Sequence, residues 1–146
     1  MGQKVADVMT TRPRCATPET PLAEVAQIME TENVGAVPLI DDQDRLIGMV
    51  TDRDIVVRAI AKGKDPRGMQ ASAAASQDLV AVSPDQSLDE ALQLMAQHQV
   101  RRLPVVAEGD LLVGIVAQAD VALETKEKTA GELLEDIFQP PQGPRR

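Results

Sequence analysis

The sequence predicts a mixed α/β (α+β) fold in which two β-α-β-β-α repeats pack sheet to sheet with pseudo-twofold symmetry. The main observation is an internal repeat, because Pro38 and Pro104 are separated by 104 − 38 = 66 positions. The same ungapped shift matches further pairs of identical residues: Pro18/Pro84, Leu22/Leu88, Glu24/Glu90, Met29/Met95, Val34/Val100, Gly48/Gly114, Val50/Val116 and Asp54/Asp120. Composition agrees: hydrophobic residues make up 43% of the chain but include a single aromatic residue, Phe138. A core of branched aliphatic side chains suits buried strands.

The first half of each repeat is predicted to be a short strand followed by an amphipathic helix. The strands, Arg14–Thr17 and Leu79–Ser83, end at a Thr-Pro or Ser-Pro step, since proline stops a strand. Thr20 and Ser87 are predicted to cap the helices, and Ser87 with Glu90 has capping-box spacing. Apolar residues at helical spacing place these helices at Pro21–Thr31 and Leu88–Gln97.

The second half of each repeat is predicted to be a hairpin and a closing helix. Polar turns separate short apolar runs, which predict the strand pairs Ala36–Ile40 with Arg45–Val50 and Leu103–Val106 with Leu111–Val116. The closing helices are expected at Asp52–Ala61 and Gln118–Glu124. A single unit is too small to bury its sheet, so we expect the two copies to pack against each other.

The chain is divided by the repeat into five predicted parts. These are repeat 1 with an N-terminal helix (1–62), a Gly-, Pro- and charge-rich linker (63–70), repeat 2 (71–125), a C-terminal amphipathic helix (126–138) and a disordered Pro-rich tail (139–146).

Charge and composition argue against several classes of function. The formal net charge of −8 disfavours nucleic-acid binding, which uses a basic face, but it leaves room for a local basic pocket. No run of apolar residues approaches the ~18 of a membrane span, and we find no signal peptide. A single cysteine, Cys15, fits a reducing compartment, so we expect a cytoplasmic protein that binds neither membrane nor nucleic acid.

Several motifs resemble those of the CBS-domain family. The family pattern is Ser/Thr-Pro, an amphipathic helix, a Val/Leu-Pro-Leu/Val-Ile/Val strand and then Gly-apolar-apolar-Thr-x-x-Asp, and GMVTDRDIV at Gly48–Val56 is its clearest instance. With the start VADVMT (Val5–Thr10), the chain resembles small stand-alone bacterial CBS-pair proteins of the hypoxic-response type over residues 3–125.

The resemblance implies a regulatory pair of repeats, a Bateman module, with two clefts between them. Such modules bind adenine nucleotides (AMP, ADP or ATP), or sometimes S-adenosylmethionine or NAD-type ligands. They often form homodimers, and they usually regulate a separate or fused target protein. The resemblance therefore implies an adenine nucleotide as a regulatory ligand, no required cofactor, a homodimer and a target protein of unknown identity.

The best candidate site in repeat 1 is the turn from Gly48 to Asp54. Thr51 offers a hydroxyl to a phosphate oxygen, Asp54 can accept hydrogen bonds from ribose hydroxyls, and Arg53 adds a positive charge. The resemblance supports the roles of Thr51 and Asp54. The alternative is that Thr51 and Asp52 are only helix caps.

An adenine slot is implied by the resemblance at Val34, Gly35, Ala36 and the Thr17-Pro18 turn. Small residues such as Gly35 and Ala36 let a flat base approach the backbone. The alternative is that they are small residues at the start of a packed strand.

Repeat 2 departs from this pattern. Ala117 and Ala119 stand where repeat 1 has Thr51 and Arg53, whereas Asp120 retains the acidic group. A phosphate in this repeat would need other partners, and Arg101 and Arg102 are the candidates for an anion clamp. The alternative is that Arg101 and Arg102 are a solvated or salt-bridged pair on the surface. We therefore expect unequal sites, with the Thr51/Asp54 site the better one.

No constellation of catalytic residues is visible, so the chain is expected not to be an enzyme. The single histidine, His98, lacks Cys or carboxylate groups at metal-ligand spacing, and no phosphate-binding or nucleophile motif is present. Two function classes stay open: a ligand-sensing regulatory module and a ligand-free dimeric interaction scaffold. Ligand-induced stabilisation would distinguish them.

Overall fold

The computed structural model describes residues 3–123, which form two small sheets flanked by helices. The predicted helix at 126–138 and the predicted tail at 139–146 lie outside the described residues. The elements are α1 (Val5–Val8), β1 (Thr10–Thr11), α2 (Leu22–Glu32), β2 (Ala36–Ile40), β3 (Leu46–Thr51), α3 (Asp52–Ile55), α4 (Leu88–His98), β4 (Arg102–Val106) and β5 (Leu112–Ala117). A π-helical segment, Val56–Ile60, continues α3, and residues 118–123 are helical after β5. Single 3₁₀ turns lie at Pro66–Gly68, Ala71–Ala73 and Glu108–Asp110.

The hairpins β2–β3 and β4–β5 confirm the predicted repeat. Both are antiparallel, and their registers shift at equivalent points, between Leu39 and Ile40 and between Val105 and Val106. The tips of the hairpins meet, since Arg45 and its equivalent Leu111 form an antiparallel bridge. Equal irregularities in two independent strand pairs show that the copies share backbone geometry as well as sequence.

The helices α2 and α4 follow the predicted apolar spacing, but only one is capped as expected. Ser87 Oγ accepts a hydrogen bond from Glu90 N at 3.1 Å, and the Glu90 carboxylate accepts from Ser87 N at 3.2 Å, which confirms the capping box. The predicted cap at Thr20 is wrong. Its hydroxyl accepts from Thr17 N at 3.0 Å within a turn, and the helix begins after Pro21.

The predicted strands at Arg14–Thr17 and Leu79–Ser83 are wrong as extended strands. Each contributes a single parallel bridge, Ala16 to Leu39 and Val82 to Val105. The prolines that follow, Pro18 and Pro84, lack the N–H that a longer ladder would need.

Each hairpin pairs with the short leading segment that precedes the other repeat in the chain. Lys4 bridges Ser87 and Thr10 pairs with Ile115, so the N-terminal residues lie on the sheet of the second hairpin. The equivalent residues do the reverse, because Gln70 bridges Pro21 and Ser76 bridges Met49. The two leading segments, residues 4–11 and 70–76, are thus exchanged between the repeats.

Two apolar clusters form the core, and the exchanged segments belong to them. The first contains Leu22, Val37 and Val50 together with Ala71 and Ala74. The second gathers equivalent side chains around Val5, namely Leu88, Leu103, Met95 and Val116. Each cluster therefore needs residues from both halves of the described chain.

Within residues 3–123, no helix is long and apolar enough to cross a membrane.

Candidate functional site

Two clefts of equal size lie where one repeat faces the other, each about 520 Å³ in volume. Cleft A is lined by Gly35, Ala36, Met49, Thr51, Asp52, Arg53, Ser76, Asp78, Leu79, Val80, His98, Gln99, Val100, Arg101, Arg102, Leu103 and Pro104. Cleft B is lined by Thr10, Arg12, Pro13, Arg14, Glu32, Asn33, Val34, Ala36, Arg102, Ile115, Ala117, Ala119 and Asp120. Most of these residues correspond through the shift of 66, so the clefts are related by the pseudo-twofold symmetry.

Each cleft combines the end of one hairpin with the helix-to-strand connection of the other repeat. In cleft A, Thr51 at the end of β3 faces residues 98–104 of the second repeat. In cleft B, Ala117 at the end of β5 faces residues 32–36 of the first. A ligand in either cleft would therefore contact both repeats at once.

Thr51 is held at the edge of cleft A by a capping box with Asp54. Thr51 Oγ1 accepts from Asp54 N at 3.0 Å, and Asp54 Oδ2 accepts from Thr51 N at 2.9 Å. The cap interpretation is therefore correct for Thr51, whereas Asp52 is the first residue of α3. A hydroxyl that accepts one bond still has its own proton to donate, so capping leaves Thr51 able to bind a phosphate oxygen.

Asp54 lies behind Thr51 and is not among the residues that line cleft A. Its side chain is 15% exposed, and Oδ1 has Arg58 Nε at 3.9 Å as an ion-pair partner. In cleft B the equivalent carboxylate, Asp120, lines the cleft directly. The two acidic groups are thus equivalent in sequence but differ in their access to the cleft.

Arginine side chains dominate the charge of both clefts. Cleft A has Arg53, Arg101 and Arg102 against Asp52 and Asp78, and cleft B has Arg12, Arg14 and Arg102 against Glu32 and Asp120. Arg102 belongs to both clefts, so together they hold five arginines against four carboxylates, a net charge of +1 in a chain whose formal charge is −8. The clefts are therefore local basic regions on an acidic protein.

Most of these guanidinium groups have no partner within the part of the chain that the structure describes. Arg14 pairs with Glu32 at 3.4 Å across cleft B. Arg12, Arg53, Arg101 and Arg102 form no side-chain hydrogen bond or ion pair with any residue in 3–123. Unpaired arginines in a concave site are suited to bind an anion with two parallel hydrogen bonds.

Arg102 and Ala36, which occupy equivalent positions, are shared by the two clefts. Both begin the first strand of a hairpin, and both line cleft A as well as cleft B. A β-carbon added at Gly35 would lie 3.0 Å from Asp52 Oδ2 and 3.4 Å from Arg102 Nη1. The absent side chain of Gly35 therefore leaves a space that Asp52 Oδ2 and Arg102 Nη1 both border, and the two side chains form no ion pair.

The structure regroups the residues that the sequence suggested. Gly35, Ala36, Thr51, Arg53, Arg101 and Arg102 come together in cleft A, and Val34, Ala36, Arg102 and Asp120 come together in cleft B. The sequence grouped Val34 with Thr51 and Arg101 with Asp120. In the structure, Val34 lies with Asp120 in cleft B, and Arg101 lies with Thr51 in cleft A. The cause is that each cleft lies between the repeats and not within one. Thr17 lines neither cleft, since its hydroxyl and amide face Thr20.

Sequence reasoning missed several lining residues, among them Arg12 and Arg14 in cleft B and Asp78, His98 and Val100 in cleft A. The shift of 66 carries a signal for Val100, which is the equivalent of the predicted residue Val34 in the other cleft. Arg12 and Asp78 are equivalent to each other, so neither follows from a residue that the sequence singled out.

A metal site is not supported within residues 3–123. No group of three or more His, Cys, Asp and Glu side chains in this range could hold a metal ion. Cys15 has Sγ at 3.2 Å from the Pro13 carbonyl, and burial raises the pKa of its thiol, which makes thiolate ligation less favourable.

Comparisons with protein families identify both repeats. The family model described as "CBS domain" matches residues 5–60 and 71–126. Among curated proteins, the CBS domain-containing protein YhcV of Bacillus subtilis is 44% identical over 134 residues, which cover 91% of this chain and 94% of YhcV. Hypoxic response protein 1 of Mycobacterium tuberculosis is 39% identical over 134 residues, covering 92% of this chain and 93% of that protein.

Solved structures show the same fold. The crystal structure of Hypoxic Response Protein I, with two coordinated zinc ions, has a TM-score of 0.76 at 40% identity and covers 83% of this chain and 98% of that one. The CBS domain pair of MJ0100, in complex with 5′-methylthioadenosine and S-adenosyl-L-methionine, has a TM-score of 0.80 at 23% identity, over 88% and 99% of the chains. CBSX2 in complex with AMP has a TM-score of 0.77 at 23% identity, over 86% and 98%. The expected resemblance to stand-alone CBS-pair proteins is confirmed.

Proposed function

The chain belongs to the CBS domain family, and from this we propose that it is a regulatory module that binds an adenine nucleotide between its repeats and signals to a separate protein. The ligand class is AMP, ADP or ATP. Two relatives of the same fold hold adenosyl ligands, AMP in one and S-adenosylmethionine with methylthioadenosine in the other. Because those relatives are 23% identical to this chain, the proposal has to rest on the clefts themselves.

The observation that carries the proposal is the set of unpaired arginines in the two clefts. Guanidinium groups that line one concave site and have no carboxylate partner attract an anion, because each can donate charge-assisted hydrogen bonds to it. An adenine nucleotide supplies that anion together with a flat apolar base. In cleft A, apolar side chains lie beside the arginines, among them Met49, Leu79 and Val80. The cleft thus offers both kinds of contact that a nucleotide needs.

In cleft A we assign the phosphate to the Thr51 hydroxyl and to three arginines, Arg53, Arg101 and Arg102. Asp54 does not line the cleft and its Oδ2 is used in the cap, so we propose that Oδ1 accepts from a ribose hydroxyl that reaches past Thr51. Gly35 and Ala36 allow the base close to the backbone.

In cleft B, Asp120 takes the place of Asp54, Val34 flanks the base, and Arg12 and Arg102 face the phosphate. Ala117 and Ala119 remove the hydroxyl and one cation, so cleft A is the stronger site. Thr17 lines neither cleft, so we assign it no contact with the ligand.

Signalling is proposed to occur through a homodimer. The helices that close the repeats expose Val56, Val57 and Ile60, and Leu123 in the position equivalent to Val57, with exposed fractions of 42% to 57%. Apolar side chains at equivalent positions of both repeats form a surface that a second copy can cover. A ligand that contacts both repeats would change their relative position, and a target protein would respond to that change.

We propose two further properties. The module acts without catalysis, and the match to the inosine-5′-monophosphate dehydrogenase of Methanocaldococcus jannaschii spans 22% of that enzyme's length. The one cysteine is free, which fits the reducing conditions of a cytoplasm.

The alternative function is a ligand-free dimeric scaffold, or a module for S-adenosylmethionine or NAD. The replacement of Thr51 and Arg53 by Ala117 and Ala119 in the second repeat favours the scaffold. The Arg14–Glu32 pair, which neutralises one cation of cleft B, favours it as well.

The test is a thermal-shift titration with AMP, ADP, ATP, S-adenosylmethionine and NAD. A ligand that binds only the native state at 100 times its Kd stabilises it by about 2.7 kcal/mol, which is a rise of several degrees in Tm. Arg101→Met should reduce the shift. The matched control Arg67→Met removes an arginine that pairs with Asp65 outside both clefts, and it should leave the shift unchanged. No shift with any ligand at millimolar concentration would favour the scaffold.

A further inference from the structure

We infer that Arg102 couples the two clefts, so that an anionic ligand in one weakens binding of a second in the other. The inference rests on the proposed function, since it takes both clefts to be anion sites. It deepens that function by assigning a regulatory property to one side chain.

Arg102 is the only arginine among the described residues that lines both clefts. It stands at the first position of β4, half-buried in the wall between them. Its equivalent in the first repeat is Ala36, which has no charge to share. The two clefts therefore share one cation where exact symmetry would supply two.

The present position of the guanidinium favours cleft A. Nη1 lies 3.4 Å from the site of a β-carbon at Gly35, a residue that lines cleft A and not cleft B. The side chain forms no hydrogen bond or ion pair with a described residue that would fix it there. A phosphate in cleft A would hold the guanidinium in place, and a phosphate in cleft B would have to draw it away.

The sign of the coupling follows from this competition. Whichever ligand binds first takes the hydrogen bonds that Arg102 can donate, and the second ligand meets a cleft with one cation fewer. For cleft B the loss leaves Arg12 and Arg14 against Glu32 and Asp120. A typical coupling between two sites is about 5- to 150-fold, and we expect about tenfold.

The experiment measures AMP binding by isothermal titration calorimetry at 0.15 M salt. The Debye length at this ionic strength is about 8 Å, which weakens direct repulsion between the two ligands, and any repulsion that remains would persist without Arg102. Two tryptophan variants each block one cleft without a change of charge, so that binding in the other cleft is measured alone. Val100→Trp fills cleft A and Ala119→Trp fills cleft B, and both positions are exposed. The product of the two stepwise dissociation constants of the wild-type protein is compared with the product of these isolated constants.

The expected result is a wild-type product about tenfold larger than the product of the isolated constants. Arg102→Met, which keeps the apolar stem, should make the two products equal. The matched control is Arg101→Met, since Arg101 lines cleft A alone. It should weaken cleft A and leave the coupling in place. Equal products in the wild-type protein, or coupling that persists in Arg102→Met, would overturn the inference.

Inorganic pyrophosphate separates this inference from the proposed function. Pyrophosphate that binds with the same coupling, where AMP does not bind, would support the shared arginine and contradict the nucleotide sensor. AMP that binds both clefts independently would support the nucleotide sensor and contradict the shared arginine. Absence of binding by either probe would overturn both.

Discussion

Thr51 and Asp54 hold each other in a reciprocal pair of hydrogen bonds, with Asp54 N 3.0 Å from Thr51 Oγ1 and Thr51 N 2.9 Å from Asp54 Oδ2. The same pair was proposed from the sequence as a phosphate and ribose site. Ser87 and Glu90 form the same box at the start of α4, with no residue of either cleft in it. The chain thus contains a natural control for what capping alone does.

Asp54→Ala and Glu90→Ala should both weaken a capping box, and only Asp54→Ala should also weaken binding. Each removes an N3 carboxylate that accepts from the N-cap N–H, which lowers the free energy of unfolding by ~1 kcal/mol, and Asp54→Ala also removes the ion pair with Arg58. Only Asp54→Ala should weaken AMP binding in cleft A, because only Asp54 holds a lining residue and offers an acceptor to the ribose. Urea unfolding measures the first effect, and calorimetric titration measures the second. Equal AMP affinities in the two variants would show that Asp54 acts only as part of the helix cap.

Cleft B should gain affinity when the missing groups are restored. Ala117→Thr combined with Ala119→Arg places a hydroxyl and a guanidinium where cleft A has Thr51 and Arg53. A hydrogen bond to a charged group contributes about 1.5–3 kcal/mol, so AMP should bind cleft B at least tenfold tighter. Titration in a Val100→Trp background, with cleft A filled, isolates the effect.

Ala117→Val with Ala119→Met is the matched control for this gain. It adds volume at the same positions without polar groups, and its affinity should not rise. A tenfold gain in the control as well would mean that cleft B responds to size and not to charge.

Much of the fold could be predicted from the sequence because its signals are local. The hairpin bounds agree with the prediction to within one residue, since alternation and turn residues act over short distances. The exchange of residues 4–11 and 70–76 was not predicted. It depends on which of two similar sheets a segment pairs with, and both copies carry the same apolar pattern.

The candidate site shows the same division between local and distant information. Thr51, Arg53 and the small residues Gly35 and Ala36 could be singled out, because a strand-to-helix turn has a recognisable sequence. The pairing of Thr51 with Val100 and not with Val34 could not be predicted. It follows from packing between the repeats, for which a single sequence gives no direct signal.

Charge at the exposed helix face should dissociate the proposed homodimer. Val57→Glu and Leu123→Glu each place a carboxylate on an apolar side chain that is 42% and 57% exposed, and burial of an unpaired charge opposes association. Light scattering after size exclusion should show monomers for both variants. Leu111→Glu is the control, at an apolar residue that is 42% exposed in the β4–β5 turn, and it should remain dimeric. A wild-type protein that is monomeric at micromolar concentration would contradict the dimer.

Cys15 should react slowly with thiol reagents at neutral pH. Burial raises the pKa of the thiol, and the nearby Asp44 carboxylate raises it further, so less thiolate is present than in the unfolded chain. Stability from this group is complete below the unfolded pKa of about 8.5 and is lost as pH rises through the higher folded pKa.

Stopped-flow reaction with a disulfide reagent between pH 7 and 10 tests the prediction for Cys15. The midpoint of the rate should lie at higher pH for the folded protein than for the protein in urea. Asp44→Asn should move the midpoint part of the way back. A folded midpoint equal to that in urea would show that burial has no influence on the thiol.

The exchange of leading segments makes the order of synthesis matter for folding. The first apolar cluster takes its partner residues, Ala71 and Ala74, from just beyond its own hairpin, so it can close once Ala74 has left the ribosome. The second cluster needs Val5, which is made long before Val116 and has to wait for it. Closing that long loop late is entropically costly. One copy of the repeat is therefore ready early and can serve as the template on which the other is completed.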